Sequence, residues 1–296
     1  MSGIPTFATP PGFLGLTRHD PDARVCIAGI PHDIATTNRP GARFGPAAIR
    51  AASRMLVDGD HPMYGSAVDL RELADVGDFA IALGDIPETL RLIEKQAAAF
   101  KHLVTLGGDH SITLPLLRAL AERTGPVALI HFDAHLDTWP DSFGQRYGHG
   151  SPFYHALKEG LIDGKRSVQI GIRSPVQTEV MDWTIAQGLK VYTAYDVHMH
   201  TPHGVAEEIR EIVGDAPAYL TFDVDALDPA YAPGTGTPEI GGLSSWQAQG
   251  IVRRLRGLNF VGMDVVEVSP PYDHAEITAL AAATIAWEYL ALLSYD

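Results

Sequence analysis

The chain has 296 residues, enough for one large α/β domain or two small ones, and its 22 Lys and Arg against 36 Asp and Glu leave a formal charge of −14. That acidity argues against a nucleic-acid partner and favours cationic small molecules. The single cysteine, Cys26, lies in the apolar run VCIAGI and excludes an internal disulfide; it reads as a core-packed thiol, and nothing points to an oxidising compartment.

The first residues, MSGIPTFATPPGFLGL, lack a basic segment followed by a long apolar stretch, and no run has the length of a bilayer span. The expected location is the cytoplasm. In chain order, the pattern predicts a strand at 24–30, a helix at 87–100, a strand at 102–106, a helix at 112–124 and strands at 127–133 and 167–172. A helix at 175–188, a strand at 190–192, a helix at 205–214, a strand at 218–223, a helix at 245–257 and a strand at 260–266 follow, and the long apolar stretch 274–293 closes the chain as a helix. Short β-branched runs alternating with amphipathic stretches are the pattern of βαβ units and a parallel sheet. In the helix at 245–257, Trp246, Ile251 and Leu255 are expected to face the sheet, with the arginines outward.

VALIHFDAHLDTW (127–139) sets Asp133, His135 and Asp137 at alternate positions after an apolar run, and YLTFDVDALDP (219–229) repeats the device with Asp223 and Asp225. Alternate side chains of an extended chain point the same way, so each run can aim its ligands at one point. His110 in TLGGDHS adds an imidazole. So many carboxylates share a small pocket only if cations offset their repulsion, which calls for two divalent metals. The plainer readings are a helix cap beside a surface histidine for 133–137 and an Asp-x-Asp turn before Pro229. A cap needs only one such residue, whereas alternation aligns all three. Every candidate ligand falls at the C-terminal end of a predicted strand or in the loop just past it, the edge where open parallel sheets bind ligands.

HFDAHLD, TFDVDALDPAYAPGTGTPEIGG and GGDHS, together with NRPGARFGPAAIR (38–50), GHGSPF (148–153) and DVVEVSPPYDHAEITALAAAT (264–284), resemble the ureohydrolases, the arginases, agmatinases and related guanidino hydrolases. The resemblance runs from about Gly29 to the C-terminus and looks most like agmatinases. It implies a three-layer α/β/α sandwich around a mostly parallel eight-stranded sheet, one domain over 1–296 with 1–23 as an N-terminal extension, and assembly as a trimer or hexamer. By the same resemblance, His110, Asp133, Asp137 and Asp223 would hold one manganese ion and His135, Asp133, Asp223 and Asp225 the other, with Asp133 and Asp223 bridging. Oxygen-rich coordination with one imidazole per ion suits manganese and also admits nickel or cobalt.

His149 in GHGSPF resembles the family's proton-shuttling histidine at the pocket mouth, and Glu267 in DVVEVSP the carboxylate that grips the guanidinium. Read without the flanking match, His149 would be plain surface; for Glu267 the lesser alternative is a buried partner of an arginine. The implied chemistry is attack of a metal-activated water on the guanidinium carbon, with Asp137 accepting a hydrogen bond from the nucleophile and the amine leaving protonated through Asp137 or His149.

The substrate's tail depends on TWPDSFGQRYG (138–148). Arginases carry an asparagine two residues past the final aspartate and a serine four before the histidine; Trp139 and Gln145 stand there instead, which speaks against arginine. Trp139 could cover an aliphatic spacer, Asp141 could receive the ammonium of agmatine, and Arg146 is the candidate partner for a carboxylate such as that of 4-guanidinobutyrate. The chosen reading is agmatine to putrescine plus urea, with a guanidino acid as the alternative. A silent, metal-binding relative would be expected to lack one of these residues. An amide deacetylase typically needs a single zinc and fewer carboxylates.

Other features read as structural. HMHTPH (198–203) looks like a surface tract in a polar connection, and PGTGTPEIGG (233–242) like a tight loop rather than a phosphate loop. Arg39 and Arg43 read as partners in structural ion pairs.

Overall fold

The computed structural model describes residues 11–57, 60–64 and 69–293. Residues 1–10 of the expected N-terminal extension therefore lie outside the described residues, while Phe13 and Leu14 farther along it are buried against the core.

One sheet contains β1 Val25–Gly29, β2 Leu73–Asp78, β3 Leu103–Leu106, β4 Ala128–Phe132, β5 Val168–Ile172, β6 Lys190–Thr193, β7 Ala218–Asp223 and β8 Phe260–Val266. Its order is β2-β1-β3-β8-β7-β4-β5-β6, and the expected mostly parallel sheet is parallel at every pairing. The helices are α1 Gly45–Ser53, α2 Ile86–Ala97, α3 Thr113–Thr124, α4 Pro152–Lys158, α5 Thr178–Ala186, α6 Ala194–Met199, α7 Pro202–Val213, α8 Ser245–Arg253 and α9 Ile277–Leu293.

Helices cover both faces, so interior strands such as β1 and β4 are buried along their whole length. Alternate residues feed opposite cores. Ile27 and Ile130 pack with Ile49 of α1, Ile209 of α7, Ile251 of α8 and Ala282 of α9. Cys26 packs with Ile93 of α2 and Leu116 of α3, and Leu129 with Leu117 of α3 and Phe153 of α4. No helix among the described residues is long and apolar enough to cross a membrane.

Several expectations change: α4 and α6 were not expected as helices, and the runs carrying Asp133, His135, Asp137 and Asp225 leave the extended strand for bends and a 3-10 turn. The strand β2 was not expected, because LADVGD is rich in acidic residues and glycine, which disfavour strands; an edge position tolerates them. Ile251 and Leu255 are buried as expected, but Trp246 is 68% exposed. It lies in the first turn of α8, where the Ser244–Gln247 capping box sets the helix start and leaves the indole off the packed stripe. HMHTPH is surface, but it is not an irregular connection. It spans the end of α6 and the start of α7, where Thr201 caps the second helix.

The register builds a buried polar row across the sheet. Gln169 of β5 stands beside His131 of β4, His131 beside Thr221 of β7, Thr221 beside Asp264 of β8, and Asp264 beside Thr105 of β3. All five are completely buried. His131 and Thr221 each sit two residues before a candidate ligand, Asp133 and Asp223, one side-chain repeat below on the same face.

Candidate metal centre

The candidate ligands and Glu267 come from strands that are consecutive neighbours in the sheet, β3, β8, β7 and β4, with β8 leading to Glu267. His110 opens a short 3-10 turn after β3, Asp133 follows β4, Asp223 ends β7 with Asp225 in the next turn, and Glu267 follows β8. The GGDHS turn is pinned by Asp109, whose Oδ1 accepts the Ser111 amide and whose Oδ2 accepts the Ala35 amide. Gly108 is required there, since a Cβ would lie 1.9 Å from the His32 carbonyl oxygen.

All six expected ligands converge. His110 Nδ1 lies 3.1 Å from Asp133 Oδ2, 3.0 Å from Asp137 Oδ2 and 3.4 Å from Asp223 Oδ2. His135 Nδ1 lies 3.2 Å from Asp133 Oδ1 and 3.1 Å from Asp225 Oδ2. Asp133 thus faces both imidazoles. Backbone amides orient the carboxylates: His135 donates to Asp133 Oδ1, Ala134 to Asp225 Oδ1, and Asp225 to Asp223 Oδ1.

The donor set fits divalent cations. Thr221 Oγ1 donates to Asp264 Oδ1 at 2.5 Å and therefore accepts from His110 Nε2 at 2.8 Å, which leaves His110 Nδ1 as a lone pair aimed at the carboxylates. That nitrogen is buried and forms no hydrogen bond among the described residues. Burial, then the charges of Asp225 and Asp133, push Asp223 well above the ordinary carboxylate range, and burial followed by Asp133 pushes Asp225 up. For His135, burial opposes protonation but Asp225 and Asp133 outweigh it and lift the ring to about 12. A cluster that otherwise draws protons this strongly is one that divalent cations neutralise.

Glu267 is buried and holds φ at +65°, and Asp137 holds +53°, both in the left-handed region that non-glycine residues seldom adopt. Glu267 Oε1 accepts the His110 amide at 2.9 Å and His149 Nδ1 at 2.9 Å, so its buried partner is a histidine and not an arginine. His149 Nε2 accepts the Thr37 amide at 3.0 Å and lies 2.7 Å from Thr37 Oγ1. Burial disfavours the charged His149 ring, but Glu267 outweighs it and lifts the pKa to about 9.

A cleft of about 510 Å³ opens onto the cluster, lined by Thr37, His135, Asp137, Trp139, Asp141, His149 and Thr237 among others. Trp139 forms part of the wall, with Nε1 donating to Gln177 Oε1 at 2.8 Å. Asp141 is at the exposed rim and spends Oδ1 on the Gly144 amide. Arg146 is the exception. It lines a separate depression with Pro140, Tyr154 and Lys158, and its guanidinium lies 5.1 Å from the Tyr147 ring centre, because the turn around 142–145 directs it away from the cleft. Arg43 pairs with Asp33, and Arg39 lies over Tyr272.

The sequence reading missed Thr37, which touches His149, and the row beneath the ligands. It also missed Arg173, which donates to the carbonyls of Asp225 and Glu239 and ties the second acidic turn to the loop after it. His131 and Thr221 could have been found by extending the alternation two residues back; Gln169, Asp264 and Arg173 carry no such signal.

A profile of the arginase family matches residues 23–291. An agmatinase of Escherichia coli (strain SE11) is 49% identical over 290 residues, covering 94% of this chain and 92% of its own. Among solved structures, a hypothetical agmatinase from Burkholderia thailandensis superposes with a TM-score of 0.92 at 45% identity, over 98% of this chain and 92% of the other. Proclavaminate amidino hydrolase from Streptomyces clavuligerus superposes with a TM-score of 0.93 at 40% identity, over 98% and 99%. With the fold, the motifs and near-full-length similarity in agreement, the chain belongs to the arginase family and resembles its agmatinases.

Proposed function

We propose that the protein hydrolyses agmatine to putrescine and urea at a pair of divalent metal ions, taken here as manganese, held by His110, Asp133, His135, Asp137, Asp223 and Asp225. The carrying observation is the cleft's lining beyond the metal ligands: among the described residues it includes the carboxylate of Asp141 and no lysine or arginine. Such a wall suits a substrate with a cation at each end and disfavours a carboxylate tail.

The ions would supply Lewis acidity and an activated water at neutral pH. Glu267, buried and oriented by the His110 amide and His149, is suited to accept hydrogen bonds from the guanidinium. Trp139 would cover the methylene chain and Asp141 would receive the terminal ammonium at the rim. Water adds to the guanidinium carbon, the bond from that carbon to the chain-bearing nitrogen breaks, and the amine leaves with a proton. Asp137 or His149, both of which line the cleft, would deliver it.

Agmatine, 4-guanidinobutyrate, 3-guanidinopropionate and arginine should be compared for urea release after manganese activation. Agmatine is expected to give the highest kcat/KM; faster turnover of a carboxylate-tailed compound would overturn the substrate and leave the site reading intact. The lone buried thiol of Cys26 agrees with a reducing, cytoplasmic setting. A trimer or hexamer is the expected assembly, which sedimentation velocity would test.

A further inference from the structure

His131 is a buried histidine that the chemistry above does not use. It lies between the rings of Phe153 and His110, with centroids at 4.4 and 5.1 Å. Its Nε2 is 2.8 Å from Asp133 Oδ2, and its Nδ1 is 3.0 Å from the side-chain nitrogen of Gln169. Proximity alone would allow it to be a ligand, since His110, His131 and Asp133 offer atoms within 4.8 Å of one another. The hydrogen bonds point elsewhere.

Gln169 decides which ring nitrogen carries the hydrogen. Its nitrogen is 2.6 Å from the Leu136 carbonyl oxygen, which can only accept, so the amide must present its NH2 group there. Reversing the amide would bring two oxygens to that separation. The same NH2 group faces His131 Nδ1, which therefore accepts, and the ring hydrogen sits on Nε2 and is donated to Asp133 Oδ2. This orientation leaves Gln169 Oε1 buried without a partner among the described residues, a costly arrangement kept because Leu136 allows no other. With Oδ1 accepting the His135 amide at 2.6 Å, both oxygens of Asp133 are held in direction.

We propose that His131 and Gln169 are positioning residues for the metal centre: Gln169 holds the His131 ring with its hydrogen on Nε2, and that N–H aims the Asp133 carboxylate. The inference rests on Asp133 as a metal-bridging ligand. Outer partners of this kind set metal affinity by about 10- to 100-fold.

The test titrates manganese into chelator-treated full-length protein, reading dissociation constants by calorimetry and ions per chain by plasma mass spectrometry, for wild type, His131→Phe, His131→Gln and Gln169→Leu. Circular dichroism confirms folding, and Gln169→Leu carries the test if His131→Phe does not fold. The expected result is two ions per chain at saturation in every folded variant, affinity about 10- to 100-fold weaker in His131→Phe and Gln169→Leu, and partial recovery in His131→Gln, which keeps an N–H donor. Unchanged affinity in both weakened variants would overturn the positioning role, and loss of one ion per chain in His131→Phe alone would make His131 a ligand instead. Wild-type protein that binds no manganese would overturn the metal-centre reading and this inference with it.

Discussion

His149 and Glu267 stand 118 residues apart in the chain and meet through a 2.9 Å hydrogen bond between Nδ1 and Oε1, on an oxygen that also accepts the amide of His110. One carboxylate thus ties the histidine beside the cleft to the backbone of a candidate ligand. Glu267→Gln keeps the size of the side chain and removes its charge. The expected outcome is a fall in kcat/KM for agmatine of about 100-fold or more, with manganese content unchanged. Steady-state kinetics beside metal analysis checks it, and near-wild-type kinetics would remove Glu267 from the substrate site.

Gly236 borders the same carboxylate. A Cβ there would lie 3.2 Å from the Arg39 carbonyl oxygen, 3.4 Å from Thr36 Oγ1 and 3.6 Å from Glu267 Oε2. Gly236→Ala is expected to raise KM for agmatine by roughly 10-fold, the scale of one methyl group in a fitted pocket. An unchanged KM would show that the backbone at Arg39 absorbs the added methyl without disturbing Glu267.

Asp133, Asp137, Asp223 and Asp225 are all buried around two imidazoles. Ions that bind only the folded chain stabilise it by mass action. Dialysis against a chelator should lower the melting temperature by roughly 5–10 °C, with recovery on adding manganese. Identical melting curves would speak against a metal centre.

Burial is the chief cause that raises the Cys26 thiol to about 11, and the side chain is 1% exposed. Native protein should therefore react slowly with a thiol-specific disulfide reagent at pH 8, and at once in denaturant. Fast native reaction would contradict the packing of β1.

His102 reports on pH. Burial, with Arg24 and Arg123 adding to it, lowers the ring to about 4 from 6.5, and Nε2 lies 2.8 Å from the Tyr289 hydroxyl. The unfolded chain takes up this proton more readily, so the stabilising contribution is complete above about pH 6.5 and is lost as pH falls towards 4, by at most about 3 kcal/mol. His102→Gln should flatten that part of the urea-stability profile between pH 7 and 4.5. An unchanged slope would show that other groups set it.

The candidate ligands were legible along the chain as acidic and imidazole side chains spaced by two residues directly after apolar strand runs. The expected reason, strand alternation, does not hold: Asp133, His135 and Asp137 lie past the end of β4, with Asp137 in the left-handed region, and Asp225 lies in the 3-10 turn after β7. Apolar runs alternating with amphipathic stretches likewise announced a parallel α/β sheet. Substrate-tail contacts were not legible in this way: Asp141 and Arg146 are five residues apart on one short turn, yet only Asp141 borders the cleft. Direction within a turn depends on backbone dihedrals that residue type leaves open. The edge strand β2, made of acidic residues and glycine, was hidden because its place in the sheet comes from pairing with β1 rather than from its own preference.

The tertiary structure alone decided which side chains support those ligands. The pairing of Gln169 with His131 and of Thr221 with Asp264 follows from strand order and register, and that of His149 with Glu267 from the folding of the turn before α4 over the end of β8. Each joins segments far apart in the chain, so no local periodicity relates them. A hydrogen-bonded site needs both partners within about 3 Å, and only the assembled sheet, with β3, β8, β7 and β4 side by side, brings them to that distance.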